Sequence, residues 1–264
     1  MDIETKSHTV SLIGAGNVAT HLALALKDAG HRIRMIFSAT EASASSLARR
    51  VGTAWTTHLQ DLDGVESDFY IMSVRDNAML EVISDLNIRK GIVVHTTGSV
   101  GMDVLEGKSR EYGVFYPFQT FRKEQAMDMS HVPLLVEGSA PEVLKKIRGL
   151  ALSISDYVLD FSSDQRAHLH LTAAFACNFS NYMIRIAEEI LEEHHIERAL
   201  LQPLIGETFR KIQQGLPAVK NQTGPAVRGD TKTVEKHIEL LKSHPEWQKL
   251  YTFVSQLIMT DDKL

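Results

Sequence analysis

Up to about residue 162 the chain alternates short apolar runs with helix-spaced patterns, the signature of strands and helices taken in turn. The runs are Thr9–Ile13, His31–Ser38, Asp68–Val74, Gly91–Thr96, Tyr112–Phe115, Pro133–Glu137 and Tyr157–Phe161. Between them, a helix-spaced face (Val18, Leu22, Leu26) precedes Gly30. Further helices are predicted over Ala42–Val51, Asn77–Leu86 and Pro141–Leu152. This alternation predicts an α/β fold with a doubly wound, mostly parallel sheet. From Ser163 the strand signal stops. Helical patterns follow over Asp164–His194, over Ile196–Gly215 with a kink expected at Pro203, and over Thr231–Ser243 and Pro245–Met259. Residues 1–162 therefore read as a doubly wound α/β domain and 163–264 as an all-α domain.

The first strand runs into Gly14-Ala15-Gly16-Asn17-Val18-Ala19, a G-x-G-x-x-A turn that opens a helix. Glycines there let the backbone approach a pyrophosphate, and the helix N-terminus offers free N–H groups, so Gly14 to Val18 are candidate cofactor ligands. The second strand ends in Ser38-Ala39-Thr40, with no acid until Glu41. An NAD site would place a carboxylate at this point for the ribose. Its absence, with Ser38 and Thr40 as hydrogen-bond donors to a 2′-phosphate, favours NADP; NAD is the alternative, and Ser38 reads equally as a plain turn residue.

Ligands of such sheets bind outside the carboxyl ends of the strands. Three loops leave there: Ser73–Asn77, with Ser73 and Val74 beside the cofactor; His95–Ser99; and Tyr116–Phe121. Thr96 and Thr97 are candidates for the nicotinamide end, and His95, Ser99 and Gln119 for substrate. On the first helix of the second domain, His170, Ala174, Cys177 and Asn181 share a stripe with Asn178 beside it. His170 to Asn178 spans ~12 Å of axis, which suits a proton-donating histidine and an asparagine that holds the polar end of a substrate. Spacing alone favours slightly the other reading, a capped or hydrogen-bonded core histidine. Cys177 reads as a small buried hydrophobe, and His168, His194 and His195 as helix-surface residues.

A net charge of −5 with no basic run argues against nucleic-acid binding. One cysteine excludes an internal disulfide and fits a reducing compartment. The polar start Met1–Ser7 is unlike a secretory signal, and no apolar stretch approaches ~20 residues, so a cytoplasmic protein is expected. The scattered histidines offer no metal-ligand spacing. The tail Asp261–Leu264 reads as frayed, and the alanine-rich, apolar first helix of the second domain predicts a homodimer formed through it.

His95–Ser99, Pro117-Phe118-Gln119-Thr120-Phe121 and Gly224-Pro225-Ala226-Val227-Arg228-Gly229-Asp230 match, in order, the H-[ST]-[SAT]-G-S, P-x-Q-[ST]-F and G-P-x-x-R-G-D segments of a bacterial family. The chain resembles those Rossmann-like proteins of unknown function, which carry the provisional name of deazaflavin-dependent NADP oxidoreductases. Their wider relatives include pyrroline-5-carboxylate reductase, ketopantoate reductase and the 6-phosphogluconate and hydroxyacid dehydrogenases. The resemblance implies a Rossmann domain followed by a dimerising helical domain, and reduction of a small carbonyl or imine by hydride transfer. It also implies that His170 stands where some relatives carry a catalytic lysine, that Ala174 and Asn178 stand at their two asparagine positions, and that Ala39 stands where an arginine is common. By the same resemblance Thr223, Gly224, Arg228 and Asp230 would return towards the cleft, Arg228 as the holder of a substrate anion; an Arg228–Asp230 pair that only braces the loop is the other reading. The missing lysine keeps open a non-catalytic NADP-binding sensor or scaffold, and use of a deazaflavin is a third reading.

Overall fold

A computed structural model of the chain describes residues 7–261. The polar stretch 1–6 and the tail 262–264 lie outside the described residues, and with them most of the readings made there. The chain divides into two compact units, one up to Ala174 and one from Phe175.

The first unit holds β1 (Thr9–Ile13), α1 (Asn17–Asp28), β2 (Arg32–Phe37), α2 (Glu41–Val51), β3 (Ala54–Thr56), β4 (Phe69–Met72), α3 (Asp76–Asp85) and β5 (Ile92–His95). Then come β6 (Glu111–Pro117), β7 (Leu134–Gly138), α4 (Pro141–Leu152), β8 (Val158–Asp160) and α5 (Ser163–Ala173). The sheet order is β3-β2-β1-β4-β5-β6-β7-β8. Every pair is parallel except β6 with β7. Such strands are covered on both faces, which is why they read as unbroken apolar runs; Val10 to Ile13 are all buried. One face packs Leu12, Ile36 and Ile71 against Leu22 and Leu26 of α1. The other packs Ile13, Met72 and Val93 against Met79 and Ile83 of α3.

Strand order reverses between β1 and β4, so the crevice above that pair is the switch point where such sheets bind ligands. The antiparallel β6–β7 pair is joined not by a tight hairpin but by residues 118–133, a longer connection that ends in a 3₁₀ turn at Met129–His131. β3 has no apolar run to announce it: Ala54 and Trp55 are exposed at the sheet edge. α5 starts with a capping box in which Ser162 and Gln165 satisfy each other's backbone N–H groups. The last strand thus gives way to helix at Ser162–Ser163, while the compact units divide after Ala174.

The second unit has helices and no strand among its described residues. The chain winds as a π-helix over Ala174–Phe179 and continues as α6 (Ser180–Glu193), α7 (Gln202–Gln213), α8 (Ala218–Asn221), α9 (Thr231–Leu240) and α10 (Pro245–Thr260). Pro203 does not kink a helix; it sits in the first turn of α7, where its missing N–H costs nothing. Among the described residues no helix is long and apolar enough to cross a membrane.

Candidate functional site

β1 ends at Ile13 and the chain turns through Gly14 with φ +117°, a left-handed value that favours glycine. A Cβ on Gly14 would stand 2.2 Å from the carbonyl oxygen of Ser73, so backbone from the ends of β1 and β4 is in contact here. The Gly14 N–H donates to the Phe37 carbonyl at 2.8 Å, and Ser73 N–H to the Ile13 carbonyl at 2.7 Å. Gly16 then caps α1 with no side chain of its own, no acid follows in the first turn, and a Cβ on Gly16 would meet nothing within 4 Å. Helix N–H groups therefore face open space at the positive end of the dipole.

That space is part of a cleft of about 590 Å³ lined by Gly14, Ala15, Gly16 and Asn17, by Ser38, Ala39 and Thr40, and by Ser73, Val74 and Arg75. His58 and Lys123 border it as well. A bare glycine turn, an uncapped helix start and a hydroxyl-bearing second-strand end are what a dinucleotide's diphosphate and ribose require.

A second cluster lies at the ends of β5 and β6. Gly98 packs so closely under the imidazole of His170 that a Cβ would come within 2.6 Å of its Cγ. The His170 Nδ1 is 3.0 Å from the Tyr116 hydroxyl. Burial pushes the Tyr116 phenol pKa up, against the opposing pull of the Arg166 guanidinium. Nε2 of His170 makes no hydrogen bond among the described residues. Ser99 ties this loop to α3 by donating to the Asp76 carboxylate, at the N-terminal end of α3 next to Arg75 of the cleft.

Beneath the loop, Arg166 is fully buried. Its guanidinium donates to Glu137 Oε2 at 2.7 Å, to the Val100 carbonyl at 2.6 Å and to the Thr97 carbonyl at 3.2 Å. Ser163 joins by donating from Oγ to the same carboxylate and by accepting the Met102 N–H. Arg166 and Glu137 are absent from the sequence-based candidates because an arginine in a helical pattern normally reads as solvent-facing. Tyr116 stood inside a flagged loop, but its pairing with His170 spans 54 positions that no local pattern connects.

Several expected residues are placed differently. His95 is wholly buried: its Nδ1 accepts from the Thr97 N–H at 3.4 Å and its Nε2 donates to the Gly101 carbonyl at 3.2 Å. Burial, reinforced by Arg166, lowers its pKa to about 4, so it stays neutral while its two ring nitrogens order the loop. Thr96 and Thr97 are buried too; Thr96 donates to the Met72 carbonyl and Thr97 turns back to Ser99. Val18 packs against the core, leaving only its backbone at the turn. Gln119 folds onto its own loop, accepting from Thr120 N–H at 2.8 Å. Cys177 is exposed, not buried.

Asn178 and Arg228 belong to the second unit and are exposed there. The π winding over Ala174–Phe179 breaks the 100° spacing on which the His170–Asn178 stripe was built. The Asp230 carboxylate caps α9 through Thr233, at 2.7 and 3.1 Å, and these bonds lower its pKa more than the nearby Arg228 charge does. His168, His194 and His195 are exposed. Among the described residues no group of three or more His, Cys, Asp or Glu side chains is placed to hold a metal ion.

Comparison with known proteins adds to this geometry. A Rossmann-like domain model matches residues 1–115, and a domain of unknown function, DUF2520, matches residues 132–258. The crystal structure of BF3122 from Bacteroides fragilis, provisionally named an NADP oxidoreductase, is 39% identical, covers 97% of this chain and 99% of its own, and superposes with a TM-score of 0.90. Protein TM1727 from Thermotoga maritima is 20% identical over 94% of this chain and 99% of its own, with a TM-score of 0.72. The 1-pyrroline-5-carboxylate reductase of Streptococcus pyogenes shares 14% identity over 96% of this chain and 99% of its own at a TM-score of 0.62, a likeness of fold alone. A search of curated proteins finds no match.

Proposed function

The chain belongs to the family that joins a Rossmann-like domain to a DUF2520 domain, and from that premise we propose that it is an NADP-dependent oxidoreductase that reduces a small carbonyl or imine compound. The observation that carries this reading is the Gly14–Gly16 turn, pressed against Ser73 on one side and open at Gly16 on the other. A diphosphate fits where a Gly16 side chain would stand, with the first N–H groups of α1 as donors. Ser38 and Thr40 line the far part of the same cleft with no carboxylate between them, which supports NADP over NAD. The provisional name of BF3122 points the same way.

The nicotinamide ring, when bound, supplies the hydride; the chain contributes position and a proton. Ser73 and Val74 form the cleft wall above β4. His170 is the group best placed to give the proton: Gly98 supports its ring, Tyr116 engages Nδ1, and Nε2 is left to face a substrate. After the Nε2 proton is passed on, Nδ1–H donates to the phenol oxygen, so the neutral ring stays held. The test is single-turnover oxidation of NADPH with a panel of keto and imino acids, comparing wild type with His170→Ala. Equal rates remove His170 from the chemistry. Tight NADPH binding without turnover of any compound favours a sensor instead.

The helical unit is proposed to form a homodimer. Its own residues leave Leu200, Leu204 and Phe253 at 69%, 65% and 61% exposure, large apolar side chains that a second copy would cover. Light scattering on the wild type and on Phe253→Glu reads this directly, with a dimer expected for the first and a monomer for the second.

A further inference from the structure

The connection from β6 to β7 does work that its place in the sequence does not announce. It leaves the sheet at Pro117, and Phe118 N–H donates to the Pro133 carbonyl at 2.8 Å, so the connection closes at its own base. Between those points it lies along the start of α1. The Phe121 ring packs 5.2 Å from the His21 ring, and the His21 Nε2 is 3.0 Å from the Arg122 carbonyl. One residue on, the Lys123 N–H donates to Asn17 Oδ1 at 3.3 Å. Phe121 also packs against the main apolar core, which anchors the segment from within. Three ties to a single helix end fix where residue 123 stands.

They put Lys123 beside Gly16 and Asn17, on the wall of the dinucleotide cleft. Its ammonium makes no ion pair among the described residues, whereas Lys90, Lys146, Lys242 and Lys249 each hold a carboxylate. The α1 start beside it has no acid in its first turn. The carboxylates that line the cleft, Glu81 and Asp85, belong to α3, as does the N-cap position held by Arg75.

We propose that Lys123 is a ligand of the cofactor's diphosphate, brought to the glycine turn by the P-F-Q-T-F connection. The proposal rests on the nicotinamide-dinucleotide reading of the cleft and adds to it a cation from outside the strand–turn–helix unit. The helix N-terminus supplies directed N–H groups but only partial charge; an ammonium supplies the full opposing charge for a diphosphate and tolerates small changes of its position. The Pro117–Phe121 segment, expected in the sequence to touch substrate through Gln119, then acts as a strap that carries this lysine.

The experiment is titration of NADPH and of NADH, separately, into wild type, Lys123→Ala, Lys123→Arg and a control, Lys90→Ala, in which the altered lysine lies just before β5, at the amino ends of the strands. Lys123→Ala is expected to weaken both nucleotides by the same factor, roughly tenfold for one exposed charge-assisted contact. Lys123→Arg and Lys90→Ala are expected to stay within about twofold of wild type. A loss confined to NADPH would assign Lys123 to the 2′-phosphate and overturn the proposal, as would unchanged affinity for both. If the wild type binds neither nucleotide, the nicotinamide reading falls and takes this assignment with it.

Discussion

The imidazole of His170 rests on the backbone of Gly98, with no room between them for a methyl group: an added Cβ would lie 2.6 Å from Cγ and 2.7 Å from Nδ1. The helix after β8 and the loop after β5 are thus fitted to each other at one point. The glycine of the H-T-T-G-S segment is required there by the neighbouring ring, not by a left-handed backbone. Gly98→Ala is therefore expected to push His170 off Tyr116. Turnover should fall by more than tenfold while NADPH affinity, which depends on the Gly14–Gly16 turn, changes little. Steady-state kinetics beside a binding titration separates the two, and equal losses in both would mean that the two sites are not distinct.

Arg166 holds this arrangement from below. Removing its guanidinium in Arg166→Met leaves Glu137 without its ion-pair partner and frees the carbonyls of Thr97 and Val100. Breaking a buried pair on one side costs about 3 kcal/mol. Arg166→Lys should rescue only part of this, since an ammonium cannot match the three directions of the fork. Urea unfolding of the three proteins measures it; a change below about 1 kcal/mol for Arg166→Met would show that the clamp is not structural.

His95 gives the stability a pH dependence whose sign follows from its burial. Its pKa is lowered from 6.5 to about 4 in the folded chain, so between those values the unfolded chain takes up a proton that the folded chain refuses. Its contribution is present in full above about pH 6.5 and is lost as the pH falls through the window to 4, by about 3 kcal/mol in all. Unfolding measured from pH 7.5 to 4.5 should show this acid-side decline, and His95→Gln should flatten it. A variant whose stability declines as steeply as wild type assigns the acid sensitivity to other groups.

Much of the first unit was legible because parallel strands covered on both faces must be continuously apolar. That is why β1, β4 and β5 stand out, and why the glycine turn could be recognised between a strand and a helix. β3 was not legible, because Ala54 and Trp55 lie exposed at an edge and carry no pattern. At the second cluster the sequence singled out His170 and the polar loop after β5 separately, and gave no sign that Gly98 and Tyr116 meet the imidazole or that His95, Thr96 and Thr97 are buried. The imidazole of His95 and the hydroxyls of Thr96 and Thr97 look like ligand groups at a strand end, and here they satisfy backbone and one another. Arg166 and Tyr116 act through partners remote in sequence, and the π turn after Ala173 shifts the helix register without any residue that announces it.

The most direct measurement of the central claim is NADPH titration of Gly16→Asp. The position is open, with nothing within 4 Å of an added Cβ, and it is the N-cap of α1, where aspartate is favoured over glycine. The substitution therefore leaves the fold intact and the thermal midpoint equal or slightly higher. It also puts a carboxylate where the cofactor's diphosphate is proposed to sit. The account predicts a loss of NADPH affinity of at least about a hundredfold in a protein no less stable than wild type. A Gly16→Asp protein that binds NADPH as tightly as wild type would contradict it.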